Sequence, residues 1–417
     1  MISPGAEEHS LIARLMDDLV RELQDPPQSA LSAAERALLD FIGCARGGAV
    51  CGVFRPSPNS SPEALARTLG ILGSLLDRDD LHLPSLTHPG SVIWPAVLAI
   101  GSETGATGDE LLRAAVLGYE VIGRVGRALG AEHRHHWHGT ATAGSIGAGA
   151  AAALILRLEL PELVAAVGHA TSIAAGSSQC LVEGSQTKLV HRASAACNGI
   201  LAARCAEAGL GATRYAFEGE RGFFAATSSR DRAVDVLEGS DIWAIEDLVH
   251  RHYAASGFLH AAVEAAGELR TELAEAIDEI EIVLPGLAFA AVGKDAPQTL
   301  GEAWWSAPYA VCVTLLYGAE LLEDEGIFED DALRNLLERS RVRAGNDELS
   351  SVAIGKQRRS LSIYKGHPQL PLSVDDLAAK CRRLAPDSDV HWETLRASGR
   401  PRGFARELVD LVLGSTS

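Results

Sequence analysis

The sequence predicts a mainly α protein, with a large all-helical domain and a smaller α+β domain. Three observations carry this. Apolar residues recur at helical spacing through most of the first 245 residues. Alanine and glycine crowd several of these segments, which suits helices packed at close range. Strand-like alternation appears only late, in "IDEIEIVLP".

Taken in order, "SLIARLMDDLVREL" and "SAAERALLDFIGCARGG" read as amphipathic helices, the second with Ser32 and Glu35 in capping-box spacing. "SVIWPAVLAIGSETG" and "GDELLRAAVLGYEVIGRVGRALG" each run to a glycine stop. "TAGSIGAGAAAALILRL" and "HRASAACNGILAARCAEAGL" are rich in small residues, and charges and glycines mark them as core helices. "FLHAAVEAAGELRTELAEA" precedes the strand "IDEIEIVLP", and "RRSLSIYKG" is a second strand. The turn "HPQLPLS", the helix "VDDLAAKCRRLA" and the amphipathic tail "PRGFARELVDLVLG" complete the chain. The division expected is a helical domain over 1–245, completed by a C-terminal helix in 386–417, and an α+β domain over 246–385.

At 417 residues the chain exceeds the usual span of one core, which favours two domains. A 47% hydrophobic content makes it globular, and a net charge of −18 argues against a nucleic-acid partner. The seven cysteines are scattered, odd in number and never in C-x-x-C spacing, as in a reduced compartment. The start "MISPGAEEHSLIARLMDDLV" lacks the pattern of a signal peptide, and no apolar run reaches membrane length. The expectation is a cytoplasmic protein with no membrane partner.

Four stretches carry groups with chemistry. "HRHHWHGTATAG" holds four histidines, of which His135 and His138 are spaced i,i+3. No complementary Cys or His pair stands out, so no metal site is expected. His133, His135 and His136 read as a solvated loop. His138 stands before a Gly/Thr/Ala helix start, where the N-terminal dipole favours a neutral imidazole. "EGSQTKLVHRASAA", if helical from Thr187, puts Lys188 and His191 on one face, where a second basic group and desolvation would make Lys188 a base. A snorkelling lysine and a satisfied histidine fit the same spacing. "LDRDDLHLPSLTHPGSVIWPA" sets aspartates before two histidines, as an orienting pair or as capping groups. "QTLGEAWWSAPYAVCV" places Tyr309 in an apolar segment, where its hydroxyl needs a partner or simply packs. "GSIGAG" lacks the strand and acidic residue of a dinucleotide loop.

In their order, "LLDFIGCARGG", "DRDD" with "THPGSVIWPA", "WHGTATAGSIGAGAAAA", "GSQTKLVHRASAA", "FEGERGFFAA", "EAWWSAPYAV" and "KGHPQLPLSVDDLAAK" resemble the MmgE/PrpD family along nearly the whole chain. The family includes 2-methylcitrate dehydratase, cis-aconitate decarboxylase and iminodisuccinate epimerase. The resemblance implies a helical domain with an inserted α+β lid, a site in the cleft, a homodimer, and no metal or organic cofactor. It also implies catalytic roles for Asp77, His88, His138, Lys188 and Tyr309, with Asp77 orienting His88. Substrate carboxylates would be held by Arg251, His191, Thr187 and Ser256. The chain departs from the family in Arg78, in a spacer to His88 one residue longer, and in Arg251-His252-Tyr253-Ala254 and Ser256.

The function so implied is a cofactor-independent lyase acting on a small di- or tricarboxylic acid, abstracting a proton beside a carboxylate. Dehydration comes first, with decarboxylation and epimerisation as the related branches. Outside catalysis, the alternatives are a metal-binding helical scaffold and an inactive binding module.

Overall fold

The computed structural model describes residues 10–414 apart from 55–59, 273–276, 278, 294–296, 298, 347, 387–389 and 393–394. The extreme N-terminus weighed above as a signal peptide, and the end of "ELRTELAEA", lie partly outside these residues. The chain divides into two compact units, residues 1–248 with 373–417, and residues 249–372.

In the first unit the chain forms α1 (Leu11–Glu22), α2 (Gln28–Val50), α3 (Pro62–Ser74), α4 (Gly90–Thr104), α5 (Gly108–His136), α6 (Gly139–Ile155), α7 (Leu160–Ile173), the short α8 (Gln179–Glu183) and α9 (Thr187–Glu207). α6 is buried almost throughout and packs on α5, α7 and α9. Its small residues make this possible. A Cβ at Gly199 of α9 would lie 2.4 Å from Ala148 Cβ, and one at Gly147 would lie 2.6 Å from the Gly118 carbonyl oxygen. Backbones this close leave no room for larger side chains.

Three local expectations change. α2 begins at Gln28 behind Pro27, so Ser32 lies inside the helix and forms no capping box. Glu35 instead accepts from the backbone N–H groups of Ala397 and Ser398, at 2.8 and 2.7 Å. α5 runs on to His136, bent at Gly130 with φ +68°, so the histidine run is helical rather than a loop. His135 and His136 are exposed, but His133 is fully buried. Its Nε2 meets Thr142 Oγ1 at 2.8 Å and its Nδ1 meets the Thr227 carbonyl oxygen at 3.1 Å.

The expected boundary at 385 also moves. The helix Val374–Leu384, assigned from sequence to the α+β domain, belongs to the first unit and packs on α2. Lys380, with no exposed surface, donates to Asp40 Oδ1 at 2.6 Å and to the Arg78 carbonyl oxygen at 2.7 Å. Cys381 sits where only the missing side chain of Gly43 admits it, 2.1 Å from an imagined Cβ. A buried ion pair and this close fit bind the helix to α2 more firmly than proximity in sequence could bind it elsewhere.

The second unit is built on a four-stranded sheet ordered β2–β1–β3–β4, with β1 (Ile280–Pro285), β2 (Ser340–Gly345), β3 (Ser350–Ile354) and β4 (Gln357–Leu361). β1 and β2 run parallel; β1–β3 and β3–β4 are antiparallel, with Ile282 opposite Val352. The helices His260–Glu272 and Ala307–Leu316 enclose an apolar core with β1 and β3, including Leu259, Val263, Leu269, Ile282, Leu284 and Val352. Burial of each large aliphatic side chain contributes about 1.5–3 kcal/mol.

Candidate active site

The loop after α3 begins with a turn that only certain residues accept. Asp77 has φ +53°, a left-handed conformation that aspartate tolerates better than most side chains. Its Oδ2 accepts from Lys188 Nζ at 3.0 Å. Two residues on, Asp79 takes Arg192, whose Nη1 lies 3.2 Å from Oδ2, while Arg192 Nη2 stands 4.0 Å from Asp77 Oδ1. Lys188 and Arg192 are one turn apart on α9, so a single helix face presents two cations to two carboxylates. Asp77, Asp79 and Arg192 are buried and Lys188 is nearly so. Opposite charges offset the cost of removing each from water.

Asp80 faces another way. Its Oδ1 accepts from the Gly90 N–H at 2.8 Å and its Oδ2 from Tyr119 OH at 2.7 Å. Burial raises its pKa to about 7 in spite of these donors. Only glycine fits at the start of α4, because a Cβ on Gly90 would meet the Asp80 carboxylate at 2.7–2.9 Å.

His88 is half-buried. Its Nδ1 lies 2.7 Å from the Asp80 carbonyl oxygen, which can only accept, so Nδ1 carries the hydrogen. In the neutral ring Nε2 is then the basic nitrogen. The carboxylate at 3.6 Å from this Nδ1 is that of Asp79. The orienting role expected of Asp77 thus corresponds in geometry to Asp79 with the Asp80 carbonyl, while Asp77 pairs with Lys188. The backbone N–H of His88 donates to Thr140 Oγ1 at 3.1 Å, tying the loop to the first turn of α6.

His138 is the N-cap residue of α6 and is buried. Its N–H donates to the Gly176 carbonyl at 2.8 Å. Its ring pKa falls well below the ordinary value, first through burial and then through the positive charges of Arg192, His191, His88 and Lys188. Its Nδ1 faces His191 Nδ1 at 3.1 Å. His191, half-buried, is also shifted down by burial. Lys188 and His191 do share a face of α9, and Lys188 is engaged by the Asp77 carboxylate. Thr187 is the exposed first residue of that helix.

The other residues expected at the site belong to the second unit. Tyr309 is 1% exposed, near Phe328, and its hydroxyl has no hydrogen-bond partner among the described residues. Burial raises its pKa to about 12. Arg251 is buried. Ser256 precedes a 3-10 turn, its N–H donating to the Trp304 carbonyl at 2.7 Å.

Sequence reasoning missed Asp79, Arg192 and Cys180, whose Sγ lies 3.7 Å from His191 Nδ1. Arg192 had a signal, since it follows Lys188 by four positions on the same helix. Cys180 had none, because its neighbours in space lie 11 and 42 positions away in the chain.

Chemically, the first unit offers a neutral imidazole beside an ammonium and a guanidinium, a base next to positive charge. Such an arrangement can attract an anion and accept a proton. Residues 50–235 match the MmgE/PrpD N-terminal domain and residues 253–393 the MmgE/PrpD C-terminal domain, and the chain belongs to that family. Cis-aconitate decarboxylase of Homo sapiens is 26% identical over 421 residues, covering 88% of this chain and 85% of that enzyme. Cis-aconitate decarboxylase of Aspergillus terreus is 26% identical over 292 residues, covering 62% of this chain and 59% of that enzyme. Family and relatives together indicate an enzyme of the MmgE/PrpD family. Among the described residues no helix is long and apolar enough to cross a membrane.

Proposed function

We propose that the protein is a lyase that removes a proton beside a carboxylate of a small di- or tricarboxylic acid and expels water. The observation that carries this reading is the buried His138, whose ring is shifted toward the neutral form by burial and by nearby basic groups, Arg192 and Lys188 among them. Dehydration needs a base and an acid at once. The carbon-bound proton passes to the imidazole, the electron pair forms the double bond, and the departing hydroxide takes a proton from an acid. Lys188 is the acid in this reading, and Lys188 with Arg192 attracts the substrate's carboxylates. A positioned base contributes about 10²–10⁴-fold, and fixed positive charge at the developing enolate contributes further.

Decarboxylation is the second reading, favoured by the activity for which both relatives are named. There the carbon–carboxylate bond breaks, CO₂ leaves, and the carbanion takes its proton from an acid. The single N–H of a resting neutral imidazole is too weak an acid for that step, so Lys188 would supply the proton alone.

Proton NMR in D₂O with 2-methylcitrate, citrate, cis-aconitate and iminodisuccinate separates the branches by product. The expected result is loss of the carbon-bound proton with formation of an alkene, absent in Lys188→Gln. Evolution of CO₂ with deuterium in the product would replace dehydration by decarboxylation. Full turnover by Lys188→Gln would remove the assignment altogether.

A further inference from the structure

One member of the histidine run meets two ligand-bearing residues from elsewhere in the chain. His138, His191 and Cys180 bring one ligand atom each to within 4.8 Å of one another. We propose that these three side chains form a tridentate site for a borderline-soft divalent ion, Zn²⁺ in the first instance.

The distances fit that ion. Zn–N bonds of about 2.0–2.1 Å and Zn–S bonds of about 2.3 Å, arranged tetrahedrally, set two nitrogens about 3.4 Å apart and a nitrogen and a sulfur about 3.6 Å apart. His138 Nδ1 and His191 Nδ1 lie 3.1 Å apart, and His191 Nδ1 and Cys180 Sγ lie 3.7 Å apart. The donor set of two imidazoles and a thiol suits zinc, cobalt or copper, and not the oxygen-seeking magnesium or calcium.

The ligands are also held in place before any ion arrives. Trp137 and Ser177 form a β-bridge, the His138 N–H donates to Gly176 O at 2.8 Å, and the Ser178 N–H donates to His136 O at 2.9 Å. Ser178 Oγ donates to His135 O at 2.8 Å. These bonds staple the segment that leads into Cys180 onto the segment that ends in His138, and the start of the second turn of α9 delivers His191.

The protons balance simply. The hydrogen between the two Nδ1 atoms moves, through solvent, to the Nε2 of the ring that donated it. The thiol gives its proton to solvent and becomes the thiolate ligand. Binding thus releases one proton and tightens as pH rises. Three protein ligands leave one coordination position for water or a carboxylate oxygen. Zinc here would occupy the imidazole that acts as base, so inhibition, unlike binding, rests on the proposed function.

The test is titration of the full chain, freed of metal with chelator, with Co²⁺ by absorption and Zn²⁺ by calorimetry. The expected result is one equivalent of each, with a thiolate-to-cobalt charge-transfer band. Cys180→Ser should abolish the band and weaken zinc at least ~10-fold, the scale on which even outer-shell partners act. The double variant His135→Ala, His136→Ala should change neither. Circular dichroism confirms that both variants are folded. Absence of saturable binding overturns the site, as does a band kept in Cys180→Ser or lost with His135 and His136. Zinc that binds with the expected signature yet leaves turnover intact would keep the site and remove His138 as the base.

Discussion

His138 and His191 face each other through their Nδ1 atoms at 3.1 Å, so one ring donates and the other accepts. If His138 is the donor, its Nε2 keeps the lone pair needed of a base; if it is the acceptor, Nε2 carries the hydrogen and the base is lost. His191 thereby selects the tautomer of His138. His138→Asn should lower kcat by about 10²–10⁴-fold with the fold intact, the range a general base supplies. His191→Leu should lower kcat by less, and kcat more than KM. Steady-state kinetics on both variants checks the order, and a His191→Leu protein with unchanged kcat would refute the coupling.

The same site has a defined pH behaviour. With its pKa held well below the ordinary histidine value, His138 stays neutral as pH falls through about 6.5, so activity should persist there and fail only at lower pH. Lys188→Gln removes one of the charges that depress it, and the ring resonance should then titrate at higher pH in NMR. An unmoved or lowered titration would mean that Lys188 does not sense His138.

Stability should respond to pH through three buried groups of opposite sign. Burial lowers His82 to about 3 and His133 to about 4. Between these values and about 6.5 the unfolded chain holds protons that the folded chain lacks, so their contribution is lost as pH falls through that window. Asp80, raised to about 7, has the reverse sign. Folded protein holds its proton where the unfolded chain does not, so its contribution is lost as pH rises from about 4 to about 7. In melts from about pH 4 to 8, His133→Gln should flatten the acid-side loss, and Asp80→Asn should flatten the loss toward neutrality. The same slope in both variants as in the parent protein would show that neither group is linked to folding.

Lys380 and Asp40 form an ion pair with 0% and 2% side-chain exposure. Lys380→Met leaves the Asp40 charge buried alone and should cost about 3–5 kcal/mol. Replacing both, by Lys380→Met with Asp40→Leu, should restore most of that. Because Lys380 also holds the Arg78 carbonyl beside Asp77, the double variant should keep its stability yet lose turnover. Chemical denaturation and kinetics on the same samples distinguish the two effects, and full turnover in the double variant would show that the loop holds its shape unaided.

Tyr309 gives a contrast of another kind. Its hydroxyl is buried without a partner among the described residues, which costs about 1–3 kcal/mol. Tyr309→Phe should therefore leave stability unchanged or raised. If the hydroxyl acts on substrate, as the family resemblance implies, kcat falls in the same protein. A stable variant with unchanged kcat would make Tyr309 a core residue only.

Much of the architecture was legible because helices announce themselves locally. The periodic segments of α1, α4, α6 and α9 formed where expected, and "IDEIEIVLP" became β1. What was missed had weak local signals. β2, "SRVRAG", is a largely exposed strand whose alternation is between charged and small residues, and β3, "SSVAI", is five residues long. The Ser32–Glu35 spacing suggested a cap, yet Pro27 starts the helix earlier, since proline is well suited to a helix entrance. His133 looked like its exposed neighbours, but it lies on the inner side of α5, where Thr142 and the Thr227 carbonyl satisfy its ring.

The sequence by itself determined the helical class and the family, because periodicity and ordered motifs are properties of the chain alone. Only the tertiary structure decided which charges meet. Asp77 takes Lys188 from 111 positions away, Asp79 takes Arg192 from 113, and His138 meets His191 from 53. Such pairings depend on how α3, α6 and α9 pack, and that packing is set by many small-residue contacts at once rather than by any residue near the site.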